Sequence, residues 1–419
     1  MASSVSVSSK NQFRPFSVLF IGAGNITFGN DNVRWNHSLR LERHLGTRLQ
    51  VVGIVDPSIP RVQHVLTQKA SSAAAPCYAK AKHFSDLLSA HEYLKDDLPD
   101  LIIVATPPHL RGTLLPDRDL EKRVITLFGS SPALFCEKPV STAYPHFSSG
   151  VATMLEESGN TISVGYMMRY LKVIQKAMQV IRNNNLIIMS VVARYSTAYS
   201  KMRKFDWWDK SKQCGPIVEQ ATHFCDLCRY FGGDIDLDSV QAIALEHYER
   251  PGHLSHQDPA IDESKVPEAE RIPRATTAVW KYASGALGSL THIIALHGIS
   301  YSNEIVVTAD GYQLRLVDLY TKPTLFVRTP ASDQREDVYT YPGDDPFYSE
   351  FASLICAIDS RESPLNTFSP SVSCSHLRDA GGPSQILSSY RDAFKTYEFT
   401  WRIRDKSEES SRKLRESRL

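Results

Sequence analysis

The chain has no apolar run approaching the roughly 18 residues that a membrane-spanning helix needs. Its N-terminus, MASSVSVSSK, lacks the apolar core of a secretory signal. Charge of one sign is also missing: 47 Lys and Arg against 46 Asp and Glu leave a net +1, too little to draw in nucleic acid or an acidic membrane surface. Cysteine is sparse, seven in 419 residues, and an odd, scattered set suits reduced thiols better than a disulfide framework. Cys225 and Cys228 form a CxxC, but no second CxxC or histidine pair follows at metal spacing. Small buried residues on one helix are the simpler reading, and no metal is expected. No internal repeat occurs. These absences lead to the expectation of a soluble, cytoplasmic protein, and the length points to two domains.

What is present begins with alternation. FSVLFIGAG (16–24) is a short apolar run closing on Gly-x-Gly, and LQVVGIVDP (49–57) is a second run closing on an acid. Between them WNHSLRLERHLG (35–46) has helical spacing at Leu39, Leu41 and Leu45 and stops at a glycine. Helices through Val62 to Ala70 and Phe84 to Tyr93 follow, then the strand DLIIVATPP (100–108) and the run LFC before Glu137. Strands apolar throughout and separated by helices make a parallel sheet covered on both faces.

Ligands of such sheets sit beyond the carboxyl ends of the strands. Those ends carry Gly22-Ala23-Gly24, Asp56, Thr106-Pro107-Pro108 with His109 beside it, and Glu137-Lys138. Gly22 and Gly24 allow a tight turn and close approach of a pyrophosphate, with the amides at Asn25 and Ile26 opening the next helix toward its charge. Asp56 falls 32 residues after Gly24, where a carboxylate can accept from both hydroxyls of an adenosine ribose. The motif departs from G-x-G-x-x-G, since position 27 is Thr and the next glycine is Gly29. The polar stretch TFGNDNVRWN (27–36) reads as a lengthened loop, with Asn36 and His37 in surface or capping roles.

After Lys138 come a helix from about Tyr144 to Glu157, the strand TISVGYMMRY (161–170) and a helix through Ile174 to Ile181. IIMSVVARYS (187–196), SVQAIALEHY (239–248), TTAVWKYASGALGSLTHIIAL (276–296) and SNEIVVTADGYQLRLVDL (302–319) then read as strands joined by glycine turns. They form an α+β domain around a large, mainly antiparallel open sheet, whose free face implies a homodimer or homotetramer. Within it, Gly215-Pro216 looks like a helix start. Glu219, His223 and Asp226 then share one helical face at i, i+4 and i+7. An acid four residues before a histidine can fix its tautomer, and Lys138 supplies a second proton-handling group. Arg169, Tyr170, Trp207, Trp208 and Gln220 are candidate substrate-pocket walls.

At this point the residues resemble a known family. VLFIGAG, VVGIVDP, LIIVATPPHLR, CEKPVS, VGYMMRY and GPIVEQATHFCDL, in this order, are similar to the Gfo/Idh/MocA oxidoreductases, the glucose-fructose oxidoreductase and inositol dehydrogenase group. The resemblance runs from about residue 16 to 404, with Glu-Lys-Pro as its most specific element. It implies an α/β fold with an N-terminal Rossmann domain (16–140) and a C-terminal α+β substrate and oligomerisation domain (141–404). A flexible N-terminal tail (1–15) and a disordered charged tail (405–419) flank them. It also implies hydride exchange between nicotinamide and a hydroxyl or carbonyl carbon of a small molecule: a sugar, polyol, dihydrodiol or secondary-metabolite intermediate. Lys138 matches the family's catalytic lysine, His223 its acid/base histidine, and Glu137 and Lys138 lie against the cofactor. Glu219 stands where inositol dehydrogenase-like members carry Asp, which puts a polyol-like pose in doubt. EQATH and the ending DAFKTYEFTW (392–401) resemble a fungal branch of diverse or unassigned substrates.

Asp56 would repel a 2′-phosphate, so NAD(H) is the favoured cofactor, with NADP(H) open through Ser58 and Arg61. Residues 249–275 read as an ordered flap or subunit contact. Ser417-Arg418-Leu419 resembles a peroxisomal address, the alternative to cytosol. A nucleotide-binding regulator without turnover and a non-redox enzyme retaining the nucleotide are the other functions this fold supports.

Overall fold

The computed structural model describes residues 14–30, 35–200, 202–298, 300–361 and 385–417. The chain forms two compact units, residues 1–106 with 127–134 and residues 107–126 with 135–419.

In the first unit, β1 (Phe16–Ile21), β2 (Leu49–Val55), β3 (Lys82–Phe84) and β4 (Leu101–Val104) lie in the order β3-β2-β1-β4, all parallel. β5 (Ala133–Cys136) begins here, Ala133 N–H donating to the Asp100 carbonyl at 2.9 Å. Val18, Leu19, Phe20, Val51, Ile54 and Ile102 are fully buried, as a sheet covered on both faces requires. The helix expected over 35–46 runs His37–Leu45, and Asn36 caps it by accepting from Leu39 N–H at 3.0 Å. His37, expected at the surface, is buried. The short β3 escaped the sequence because three residues carry no period.

The second unit continues β5 and adds β6 (Ile162–Val164), followed by a 3-10 turn at Met167–Tyr170 where a longer strand was expected. Its eight-stranded sheet comprises β7 (Ile188–Ala198), β8 (Ile235–Leu245), β9 (Ala275–Tyr282), β10 (Leu287–Leu296), β11 (Ser302–Ala309), β12 (Tyr312–Val317), β13 (Thr324–Thr329) and β14 (Ser332–Thr340). The order is β14-β13-β12-β11-β7-β10-β9-β8, antiparallel except for β7 with β10. One face buries Val191, Ala193, Tyr195, Ala278, Trp280 and Leu290 against the helix Thr222–Gly232 and its neighbours. β13 and β14 were not foreseen; β14 carries four charged residues in nine and buries none.

Two expectations are corrected. The charged tail 405–419 is not disordered over its described residues: a helix runs Tyr390–Glu416. Arg404 lies 4.6 Å over the Trp401 ring and pairs with Glu408, while Ser411 and Arg415 reach Glu246 and Glu268. Docking and i,i+4 pairs supply what apolar content lacks. The peroxisomal-type ending lies outside the described residues at Arg418 and Leu419. The second correction concerns sulfur: Cys77, Cys136, Cys214, Cys225 and Cys228 are free thiols, but Cys356 is disulfide-bonded. The segment 249–275 is ordered into 3-10 turns, held in part by Arg274 against Glu263 at 2.6 Å. No helix among the described residues is long and apolar enough to cross a membrane.

Candidate functional site

The first unit builds a nucleotide-type corner from the ends of β1 and β2. Gly22 sits at φ +104°, a conformation L side chains rarely adopt, and its N–H donates to the Val55 carbonyl at 2.8 Å. A Cβ there would lie 2.9 Å from the Ala105 carbonyl carbon and oxygen. At Gly24 the situation is reversed: nothing lies within 4 Å of a built Cβ, so the backbone is open to a ligand. One helical turn, Asn25–Phe28, follows, with Gly24 and Asn25 exposed and Ile26 half-buried. Its first amides have no intrahelical acceptor. Asp56 is half-buried, and its carboxylate accepts from Ala23 N–H and Ser58 N–H, both at 2.8 Å. Each oxygen keeps a further lone pair for a hydroxyl. Arg61 donates to the Ala23 carbonyl at 2.7 Å and to the Gly29 carbonyl at 3.3 Å. Thr106, half-buried, closes the first stretch of this unit.

In the second unit the segment after β5 is clamped from the 107–126 stretch, where Pro107 and His109 are exposed. Buried Arg111 donates to the carbonyls of Glu137 (2.5 Å) and Val140 (3.1 Å) and faces Glu121 at 3.6 Å. Glu121 in turn accepts from Gly112 N–H at 2.7 Å. Glu137 is buried, its carboxylate against Gly165, and accepts from the Lys138 N–H at 3.0 Å. Arg111 closes the motif LIIVATPPHLR, but spacing alone assigned it no role; the fold reveals it as a clamp on the backbone either side of Lys138.

Lys138 Nζ donates to the Glu219 carbonyl at 3.1 Å and lies 3.8 Å from its carboxylate. The single helix expected from Gly215 onward is broken. One helix spans Gly215–Glu219 and a second Thr222–Gly232, so Glu219 and His223 do not share a helical face. The Glu219 carboxylate meets Trp207 Nε1 at 3.2 Å and Lys138, and does not orient His223. The His223 ring packs edge-on to Tyr166 at 5.9 Å, whose hydroxyl bonds Thr222 at 2.8 Å. His223 Nδ1 is buried without a hydrogen-bond partner among the described residues. Burial first, and the neighbouring Lys138 charge second, hold its pKa well below the usual value, so the imidazole is neutral at neutral pH.

Asp226, the third residue of the expected face, is saturated elsewhere. It takes two hydrogen bonds from Arg169, at 2.6 and 2.7 Å, and one from Thr396 at 3.0 Å. Arg169 also pairs with Asp392 at 2.6 Å and is 3% exposed, so it is a buried strut and not a pocket wall. Tyr170 is likewise interior, its hydroxyl accepting from Leu387 N–H. Trp207 and Trp208 belong to a core cluster with Tyr199 and Ile294, and only Trp207 touches a site residue. Gln220 lies in the helix break, half-buried. Cys225 and Cys228 are fully buried, and no group of His, Cys, Asp and Glu among the described residues could hold a metal ion.

Residues 16–166 match the model of the oxidoreductase family with an NAD-binding Rossmann fold, and residues 169–312 match an oxidoreductase C-terminal domain. Two uncharacterized proteins of Schizosaccharomyces pombe are 42% and 38% identical to this chain, each alignment covering 92% of it and 90% and 95% of the relatives. Among solved structures, the WlbA dehydrogenase of Bordetella pertussis, in complex with NADH and UDP-GlcNAcA, superposes with a TM-score of 0.62 at 16% identity, over 94% of this chain and 97% of that one. Levoglucosan dehydrogenase, in complex with NADH and levoglucosan, gives 0.63 at 15% identity, over 95% and 98%. At such identities the likeness is one of fold.

Proposed function

Because this chain belongs to the Gfo/Idh/MocA oxidoreductase family, whose model spans its NAD-binding Rossmann domain, we propose that it is a nicotinamide-dependent dehydrogenase acting on a carbinol or carbonyl carbon of a small oxygenated molecule. The observation that carries this reading is the pairing of Lys138 with a buried, neutral His223 whose ring is not committed to a protein carboxylate. The open backbone at Gly24 and the Asp56 carboxylate fit an adenosine ribose and pyrophosphate. Bound nicotinamide supplies the hydride acceptor or donor.

The protein's own residues do the rest. A neutral imidazole accepts the hydroxyl proton as the C–H bond of the carbinol gives up its electron pair, leaving a carbonyl and protonated His223. Lys138 donates a hydrogen bond to the same oxygen, stabilising the charge that develops there, an effect of about 3 kcal/mol for a single such donor. Glu219 holds Lys138 through its carbonyl and carboxylate, and Trp207 fixes Glu219. Arg61 is engaged with the Ala23 and Gly29 carbonyls, which leaves Asp56 to set preference and supports NAD over NADP. We further propose assembly through the outer face of the eight-stranded sheet. Val192, Val279, Ile243 and Leu287, all 47% exposed or more, lie on one face by strand register.

Fluorescence titration with NADH and NADPH, beside Asp56→Ala, tests the cofactor. NADH should bind more tightly and the variant should lose the preference. Lys138→Met should retain the wild-type circular dichroism while losing turnover, and wild-type rates in that variant would end the catalytic assignment.

A further inference from the structure

We propose that Gln220 reads the substrate: its carboxamide NH2, held in one direction by Thr197 and His292, donates to a second oxygen of the molecule whose carbinol is oxidised. This rests on the function proposed above and extends it from where the proton goes to which molecules are accepted.

The geometry begins in the sheet. Thr197, near the end of β7, is fully buried, and His292, on β10, is 1% exposed. Gln220 Oε1 accepts from Thr197 Oγ1 at 3.0 Å and lies 3.0 Å from His292 Nε2, while Thr197 Oγ1 and His292 Nε2 are 3.1 Å apart. The three polar atoms form a closed triangle under the helix break. With the amide oxygen committed to two donors, the amide plane is fixed and Nε2 points away from the triangle. No acceptor among the described residues meets Nε2, and that nitrogen is not sealed from solvent. A surface glutamine rotates freely; this one is an oriented, unspent donor.

Its place in the chain matters. Gln220 directly follows Glu219, whose carbonyl holds Lys138 Nζ, and precedes His223 by three residues in the same break between helices. A donor fixed there discriminates by what it leaves unpaired: a molecule with an oxygen beside the reacting hydroxyl satisfies it, and a simple secondary alcohol does not. The substrate class is therefore one bearing an acceptor oxygen near the reacting carbinol, as in a vicinal diol or hydroxy acid.

The donor's direction depends on the His292 tautomer, since Nε2 must carry the hydrogen for the amide oxygen to face inward. Nitrogen NMR of the histidine-labelled full chain should show His292 neutral and protonated at Nε2. Protonation at Nδ1 would reverse the amide and overturn the proposal without any substrate. Turnover is then measured with NAD and myo-inositol, levoglucosan, D-glucose and 2-butanol. Wild type should favour the oxygen-rich probes over 2-butanol. Gln220→Leu should raise their KM about tenfold, with kcat within about threefold. Gln220→Glu, of similar shape but without the donor, should behave as Gln220→Leu. An unchanged KM in both variants, or a preference for 2-butanol, overturns this inference alone. No turnover of any probe by wild type overturns it together with the proposed function.

Discussion

Replacing Asp226 by asparagine separates two roles that a helical wheel merges. By spacing, Asp226 stands with His223 in the site; in the structure it anchors the His223 helix to Arg169, Thr396 and, through Arg169, Asp392. The Asp226→Asn variant keeps one acceptor oxygen but turns an NH2 toward a guanidinium, so one charge-assisted bond is lost and a donor faces a donor. Arg169 retains Asp392, so its charge is not abandoned. The cost is about 3 kcal/mol, the lower end for breaking a buried pair. In a unit of this size, at about 2.1 cal/mol/K of unfolding entropy per residue, that reads as a fall of roughly 5 °C in the thermal midpoint. Differential scanning calorimetry gives the number, and NADH titration at low temperature reports whether the Rossmann unit is untouched. A variant with the wild-type midpoint and a collapsed kcat would refute the reasoning, because it would return Asp226 to the chemistry.

Two further outcomes are expected. Burial lowers the His292 pKa to about 3, with Thr197, Gln220 and the Tyr195 ring against it. A depressed histidine pKa means the unfolded chain binds the proton first, so its contribution is present above about pH 6.5 and is lost as pH falls toward 3, at about 1.4 kcal/mol per pH unit. Glu350, fully buried with its pKa raised well above the usual value, acts in the opposite sense over part of this range. The His292→Phe variant subtracted from wild type therefore isolates the histidine: urea midpoints at pH 7 and pH 5 should converge, and parallel curves would exclude it. Val279→Arg, on the exposed sheet face, should shift the protein to a smaller species in sedimentation velocity, and an unchanged distribution would remove that face as the interface.

How much was legible follows from what each residue does locally. Gly22 must be glycine because its φ is positive and its Cβ space is taken, and Asp56 ends an apolar strand, so both announce themselves in one dimension. β7 to β12 alternate cleanly and could be read; β14 carries Asp, Gln, Arg and Glu on an exposed edge and could not. The tail failed for the opposite reason. Its composition is that of an unfolded segment, yet Trp401 and Ile403 at its root are buried and Arg404 covers the indole, so the helix propagates outward from a docked end.

Sequence spacing placed the candidate residues on one helix, and the break at 219–222 is where the structure departs from it. Lys138, Glu219 and His223 were named from motif and spacing, but i, i+4 presumes an unbroken helix. At Glu219 the helix stops, its carbonyl is freed from the ladder, and that carbonyl becomes the acceptor for Lys138. The same break brings Gln220 to Thr197 and His292. A continuous helix would have kept the carbonyl bonded internally and set Glu219 against the His223 ring, an arrangement that raises a histidine pKa. What the chain builds instead is a lysine held by a main-chain oxygen beside a histidine kept neutral. The acid that spacing assigned to the histidine thus serves the lysine, and the histidine's basicity is set by burial.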